Sequence, residues 1–536
     1  MDEKIDMQNP TASVGLKNYT VKPLFSRKPS DIIVAALLCI ISIFGVSAIF
    51  WDALSVGYTV VFCTAFILIS VFLLKGGKKP SPTFSACGIL SLICSFSFSV
   101  TSNMGIKFLA FVITAVSSII WFSCISGKEY IKSDYSLIVY VASSVINAFS
   151  DLPAIIKSFF SRGEKKSKNT IAVLVGIACA LPALAIIVPL LARSDDAFAA
   201  LLNKLVSNFA EEITKIIFGL AVSIFIIGGV FSLKYNKKES NFKSINFSIS
   251  KVTFATFLSI LSFVYVVYLI TQLAYFFSAF SSILPAGYKF TYAQYARRGF
   301  FELCAIAAIN FAIIFATVAL TEKSEEKIPL AVKIPGALTV IFTLIIIFTA
   351  LSKMVMYMGA YALTVSRVCA CAFIIWLLVL FIGVFIRLFV KKLDILKTAL
   401  TLALVIISVL GISNINLQIA KYNYNSYVDS GKEIDVEYIS NLEDEGIPYL
   451  YLLTKDKNSE IANKAKEELS YKYIWYYDFG DKEITDLSSY NDFSKLEKSK
   501  GKTGEFTFAL SKAYDTLDKY AKEKDGKVYY YIENKE

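Results

Sequence analysis

The chain contains no histidine. That excludes a Ser-His-Asp triad, a histidine-ligated metal and a histidine proton switch. Charge is scarce too: Asp, Glu, Lys and Arg make up 18% of the 536 residues, below the level of about a quarter usual in soluble domains. The nine cysteines run from Cys39 to Cys371 and stop there, so the C-terminal stretch has neither a disulfide nor a thiol to oxidise. Cys369 and Cys371, two residues apart, fall on different sides of a helix and make a poor metal clip. No glycine-rich phosphate loop is present. Acidic side chains are almost missing from the apolar segments, which removes the usual coupling groups of a proton- or cation-driven transporter. Nothing in the chain implies a cofactor.

What is abundant is apolar sequence, with hydrophobic residues at 56% of the total. About eleven stretches are apolar over roughly twenty residues each, the length that crosses a bilayer as a helix. They fall near 32–51, 54–74, 84–100, 106–125, 170–192, 213–232, 252–277, 300–320, 332–352, 368–390 and 396–413. Only helices satisfy the backbone in lipid at this hydrophobic density. The expected fold is therefore all-α: a polytopic transmembrane bundle over 31–413, preceded by a cytoplasmic tail over 1–30 and followed by a small, mostly helical, water-facing domain over 414–536.

Charge sets the expected orientation. From Asn414 onward there are 18 Lys against 24 Asp and Glu, whereas the whole chain carries +11. The basic excess thus sits in short loops between spans. There it acts as a topogenic signal and not as a nucleic-acid footprint. The N-tail (Lys17, Lys22, Arg27, Lys28), Lys75–Lys79, the loop up to Lys168, Lys234–Lys243, Lys323–Lys327 and Lys391–Lys397 place one set of connections in the cytoplasm. With an odd number of spans the C-terminal domain lies on the outer side of the cell membrane. Leu137–Phe149 is too short to span. The stretch 136–161 reads as an interfacial amphipathic helix pair, with Pro153, Ile155, Ile156, Phe159 and Phe160 on lipid and Lys157 and Arg162 in water.

The polar tail carries helix signals. Asn414 precedes a helical start at Leu417, Asp435 is placed to cap a short helix ended by Gly446 and Pro448, and Ser459 to cap a helix through Tyr476. Ile461, Ala465, Leu469 and Tyr473 form one apolar stripe, and Phe508, Leu510, Ala513, Leu517 and Tyr520 another. Its Lys, Glu and Asp richness reads as a solvated surface.

One cluster on the inferred outer face invites a chemical reading. Tyr292, Tyr295, Arg297, Arg298 and Glu302 lie at a helix entry, and Arg298 and Glu302 are four apart on one face. Arg193, Asp195, Asp196, Lys353, Tyr357, Tyr361 and Arg367 belong to neighbouring outer ends. Planar guanidinium forks bind phosphate through two parallel hydrogen bonds, so an anionic headgroup site is one reading. Interfacial anchoring by Tyr and Arg with a structural ion pair is the other. The spans near 300 and 368 are expected to pack side by side, with Glu302 and Arg367 on facing sides. The expected partners are the lipid bilayer and, at this cluster, an anionic lipid headgroup or envelope component.

Four segments carry a resemblance: Tyr292–Glu302 (YAQYARRGFFE), Leu181–Phe198 with its two prolines and Asp195-Asp196, Gly359–Arg367 (GAYALTVSR), and Asn414–Asn423 (NINLQIAKYN) followed by Ile434–Ile439 (IDVEYI). Over roughly 170–450 the chain resembles a bacterial family of multipass membrane proteins catalogued as a domain of unknown function (DUF4153/DUF4173-like). The resemblance implies a membrane bundle and carries no activity and no catalytic residues. The expected role is non-enzymatic, sensing or scaffolding in the bacterial envelope. The alternatives are a transporter or flippase for an anionic or lipid-linked substrate and, third, an integral-membrane transferase.

The charge distribution generates a test. In a background freed of native cysteines, Ser430→Cys is expected to react with an impermeant thiol reagent in intact cells, and Ser167→Cys only after lysis. Labelling of Ser167→Cys but not Ser430→Cys would invert the topology.

Overall fold

The computed structural model describes residues 22–74, 82–127, 136–160, 196–236, 249–281, 300–321, 329–390, 393–478, 497–498 and 507–523. They are helical almost throughout. In chain order the helices are α1 (Pro29–Phe50), α2 (Val56–Leu74), α3 (Pro82–Ser95), α4 (Ser97–Val100), α5 (Met104–Ile125), α6 (Ser136–Ser150), α7 (Leu152–Phe160), α8 (Asp196–Tyr235) and α9 (Lys251–Ser281). They continue with α10 (Phe300–Thr321), α11 (Leu330–Ala360), α12 (Val365–Phe389), α13 (Ile395–Ile412), α14 (Ile415–Ser430) and α15 (Val436–Ser440). A 3-10 turn (Glu443–Glu445), α16 (Ile447–Leu453), α17 (Ser459–Tyr476) and α18 (Phe508–Glu523) complete them, with a two-residue antiparallel pairing of Tyr477–Asp478 against Glu497–Lys498.

Eight helices among the described residues are long and apolar enough to cross a membrane: α1, α2, α5, the Glu211–Tyr235 part of α8, the Lys251–Ile270 part of α9, α11, α12 and α13. Two more expected spans are shorter. The stretch 84–100 is broken into α3 and α4, and α10 has an apolar run only from Glu302 to Val318. The expected span at 170–192 lies outside the described residues.

Two apolar clusters are the largest in the bundle. Near one end of α1, Val34, Leu38, Phe72, Leu73, Ile155 and Phe231 pack together, joining α1, α2, α7 and α8. In the second, Leu258, Ala307, Ile314, Val340, Ile374 and Phe381 join α9 to α12. The side-by-side packing expected for the spans near 300 and 368 is present, because Leu303 and Ala307 of α10 share an apolar cleft with Ile374 and Leu377 of α12. α13 lies between the clusters, touching α3, α5 and α12. α8 approaches α1 so closely at Gly219 that a Cβ there would run into the Ile43 backbone. Small residues let membrane helices meet in this way.

Hydroxyl pairs stitch the helices where lipid offers no alternative partner. Ser91 and Ser117 lie 2.5 Å apart, Ser123 and Ser144 2.8 Å, and Ser99 donates to Thr59 at 2.8 Å. In the second cluster Tyr265 donates to Asn310 at 2.5 Å, Asn310 to Thr343 at 2.8 Å, and Ser262 and Thr339 each donate to the Pro335 carbonyl at 3.0 Å. Every hydroxyl in this set has a protein partner, as burial in hydrocarbon demands.

α6 and α7 form the expected helix pair, but its faces differ from the sequence reading. Ile155 is buried at 1% exposure and Phe159 packs edge-on against Phe25 and Phe231. These side chains therefore face protein, and of the five expected on lipid Pro153 and Ile156 are exposed. A lipid-facing stripe and a protein-facing stripe have the same periodicity, so sequence alone does not separate them.

The helices after Ser413 gather into one apolar cluster of their own. Ile419, Val436, Ile439, Ile447, Leu450, Ala465, Leu469, Leu510, Ala513 and Leu517 are buried in it, and Ile106 of α5 joins them. Of the two predicted stripes, Ala465, Leu469, Leu510, Ala513, Leu517 and Tyr520 face inward and Ile461 packs against them, whereas Phe508 is exposed. Asn414 and Asp435 cap their helices, accepting from Leu417 N at 3.3 Å and Tyr438 N at 3.0 Å. The start of α1 lies by Tyr235 at the far end of α8, whereas the C-terminal helices meet the bundle at the starts of α5 and α12. The described N-terminal residues and the C-terminal helices therefore sit at opposite ends of the bundle.

The turn into α16 leaves no room at Gly446, where a Cβ would collide with the Ile439 carbonyl oxygen. Backbone cannot yield as a flexible side chain can. Gly446→Ala is expected to cost about 1–3 kcal/mol of stability in the C-terminal helices, read as a lower midpoint of thermal unfolding. An unchanged midpoint would refute the packing described for this turn.

Candidate functional site

Of the sequence-predicted cluster, Arg193, Asp195, Tyr292, Tyr295, Arg297 and Arg298 lie outside the described residues, and Asp196 is described only as the first residue of α8. Glu302 is exposed in the first turn of α10 and Lys353 is half-buried on α11. Arg367 has specific partners: Nη2 donates to the Tyr357 hydroxyl at 2.9 Å, Nη1 donates to the Ala362 carbonyl, and the guanidinium carbon lies 4.1 Å from the Tyr357 ring centre. The structure thus brings Tyr357, Tyr361 and Arg367 together as an anchor at the α11–α12 corner. There Thr364 caps α12 by accepting from Arg367 N at 3.4 Å.

That corner is one of two places where the C-terminal helices are seated. Asn423 of α14 makes a reciprocal pair with Leu363: Leu363 N donates to Asn423 Oδ1 at 2.8 Å, and Asn423 Nδ2 donates to the Leu363 carbonyl at 2.9 Å. Val365 N donates to the Tyr438 hydroxyl at 2.8 Å, and Lys432 Nζ to the Gly359 carbonyl at 3.0 Å. Three segments that carry the family resemblance, Gly359–Arg367, Asn414–Asn423 and Ile434–Ile439, therefore meet in one contact.

The second seat is a polar seam that the sequence reading missed. Its bundle side is the connection Thr101–Asn103 between α4 and α5. Asn103 caps α5, accepting from Ile106 N at 3.0 Å, while its Nδ2 donates to Asn416 Oδ1 at 2.9 Å. Asn416 Nδ2 donates in turn to the Leu442 carbonyl at 3.3 Å, and Asn414 Nδ2 to the Val100 carbonyl at 3.1 Å. Below this asparagine relay lie two adjacent carboxylates, Asp444 and Glu445, exposed to only 3% and 2%. Asp444 accepts from the hydroxyls of Ser102 and Tyr476. Glu445 Oε1 accepts from Ser102 N at 2.9 Å and Thr101 Oγ1 at 3.4 Å. Its Oε2 is buried with no hydrogen-bond partner among the described residues.

This environment sets the protonation of Glu445. Burial pushes its carboxyl up to about 7, and the charge of Asp444 adds to the rise, while the Ser102 N–H opposes it. Glu443 and Asp444 on the same turn and Tyr476 on α17 are the titratable groups around it, and Tyr514 of α18 donates to the Tyr476 carbonyl at 3.0 Å. Burial and the Asp444 charge raise the Tyr476 phenol, so it stays a hydrogen-bond donor. Among the described residues no cation pairs with Glu445. In the sequence this stretch reads Leu442-Glu443-Asp444-Glu445-Gly446, a charged turn between helices. The available signal was Gly446 and Pro448 closing a tight turn that forces two of its acids inward.

A carboxyl raised from 4.5 to about 7 on docking binds its proton more tightly when seated. The seam is therefore strongest below about pH 4.5, weakens as pH rises toward 7, and carries its full penalty above that. The shift corresponds to on the order of 3 kcal/mol. Glu445→Gln, which mimics the protonated form, is expected to raise thermal stability at pH 8, to change it little at pH 5, and to flatten the dependence between. Equal shifts at both pH values would refute the linkage.

The DUF4153 family model (domain of unknown function) matches residues 32–453. The match reaches farther toward the N-terminus than the four resembling segments do. It includes the Thr101–Asn103 connection, both asparagines and the Asp444–Glu445 pair, and it ends where α16 ends. No curated protein and no solved structure matches the chain. With most of its length inside that match, the chain belongs to the DUF4153 family.

Proposed function

We propose that this integral membrane protein is a non-enzymatic sensor or scaffold of the bacterial cell envelope, and that its responsive part is the seam between bundle and C-terminal helices. The observation that carries the reading is the buried Asp444–Glu445 pair, seated on backbone and hydroxyl groups of the Thr101–Asn103 connection. A carboxyl that titrates near neutrality at a junction between two packed units biases that junction with modest changes of pH, ligand or partner. Residues 414–536 act in this reading as a water-facing unit on the outer side, with the N-terminus in the cytoplasm, as the Lys and Arg distribution favours. The outer residues Arg297, Arg298 and Glu302 remain candidates for an anionic headgroup or envelope ligand. Arg367 is better read as a helix anchor, given its tyrosine and carbonyl partners.

A transporter or flippase is the alternative. The polar side chains buried between α9, α10 and α11 bond to one another, which supports packing over a path. Hydrogen exchange on the reconstituted full-length protein separates the readings. After correction for intrinsic rates, residues 414–453 are expected to exchange faster at pH 8 than at pH 6 in the wild type, and at similar rates in Glu445→Gln, with α9–α12 unchanged in both. Changes confined to α9–α12 would count against the sensor reading and for the transporter.

A further inference from the structure

Among the described residues, the most exposed aromatic side chains of the C-terminal unit lie beside the seam. Trp475, 73% exposed, directly precedes Tyr476, whose hydroxyl bonds to Asp444 beside Ser102. Phe508, 64% exposed, directly follows Thr507, whose hydroxyl lies 3.5 Å from that of Ser102. The two come from different helices, α17 and α18, and α18 runs against α4. Tyr471, 49% exposed, shares a face with Trp475 one turn back. Ser102 sits at the end of the bundle, two residues before the first exposed apolar side chain of α5, Met104, which lies one turn before Phe108 at 63% exposure.

Single exposed apolar residues are ordinary. Two large aromatics from separate helices, both held at the level where an apolar bundle ends, are a pattern with a physical use. At that level a bilayer changes from hydrocarbon to headgroup, where Trp and Tyr are enriched because the ring has an apolar body and a polar edge. We infer that the C-terminal unit rests on the bilayer surface through Trp475 and Phe508, an aromatic foot continuous with the lipid-facing rim of α5, and that its partner there is the lipid headgroup layer. This deepens the proposed function and rests on the bundle being inserted in a bilayer. The foot holds the unit from the lipid side while Asn103, Asn416 and the carboxylate pair hold it from the protein side.

The test uses full-length protein in which Trp51, Trp121 and Trp376 are changed to Phe, reconstituted in bilayers containing lipids brominated near the glycerol end of the acyl chain. Trp475 fluorescence is expected to be quenched at least twofold and to be shielded from aqueous iodide. Iodide quenching without bromolipid quenching overturns the proposal, placing the ring in water. Shielding from both quenchers also overturns it, showing the patch covered by a second copy. If the triple variant does not fold, Phe508→Cys carrying an environment-sensitive dye, in a background that keeps the native tryptophans and is freed of the native cysteines, gives the same readout. Phe263→Trp, at a position 69% exposed within α9, serves as control in the same background with Trp475→Phe. Quenching of the control without quenching of Trp475 rejects the foot alone, and an unquenched control rejects membrane insertion of the bundle.

Discussion

The structure depends on finding a partner for every polar group in surroundings that supply no water. In hydrocarbon an unsatisfied amide or hydroxyl costs several kcal/mol, and the described helices meet that condition at most of their buried hydroxyls, Ser97 Oγ being an exception among the described residues. Hydroxyls such as Ser42, Thr114 and Ser408 donate to the carbonyl one turn back. Where two helices touch, hydroxyls pair across the contact, as Ser91 does with Ser117. The same requirement shapes the bundle's end. The connection at Thr101–Asn103 leads into α5, and the C-terminal helices are what its Ser102 amide and hydroxyl and its Asn103 capping side chain bond to. The unit is held by the unfinished hydrogen bonding of helix ends as much as by apolar contact.

The carboxylate pair is a place where this economy is left incomplete at a buried acid. Asp444 is fully engaged by two hydroxyls, while Glu445 keeps one buried oxygen with no hydrogen-bond partner among the described residues. A buried unpaired carboxylate oxygen is costly as an anion and cheaper protonated, so the seam carries a built-in preference for the protonated state. Structural pairs elsewhere avoid this: Asp31 accepts from Tyr235 at 2.8 Å, and Asp151 from Ser232 and Asn236 at 2.6 Å each. The contrast marks Glu445 as a titrating group and not merely a polar filler.

Much of the architecture was legible in the chain. Apolar runs of spanning length specify helices because lipid permits little else, and α1, α2, α5, α11, α12 and α13 lie close to where hydropathy puts them. The tail helices were legible through their caps and stripes, since Asn414, Asp435, Leu469 and Leu517 obey local rules of capping and periodicity. The limits are equally physical. A single apolar stripe on α7 served either lipid or protein, and the side-chain neighbours of Ile155 decided which. The break between α3 and α4 came from local geometry within a run that reads as one span.

By itself, then, the sequence determined a membrane bundle of helices with a capped, amphipathic helical tail, because hydropathy and capping act over a few residues at a time. Tertiary structure alone decided what those elements hold between them. Arg367 read either as a phosphate fork or as an interfacial anchor from its type and position, and the fold engages it with Tyr357 and the Ala362 carbonyl. Asp444 and Glu445 read as surface charge, and the fold buries them against residues some 340 positions earlier. Hydropathy is a property of a segment. Burial and partner choice are properties of what the segment meets, and no window along the chain contains Ser102 together with Glu445.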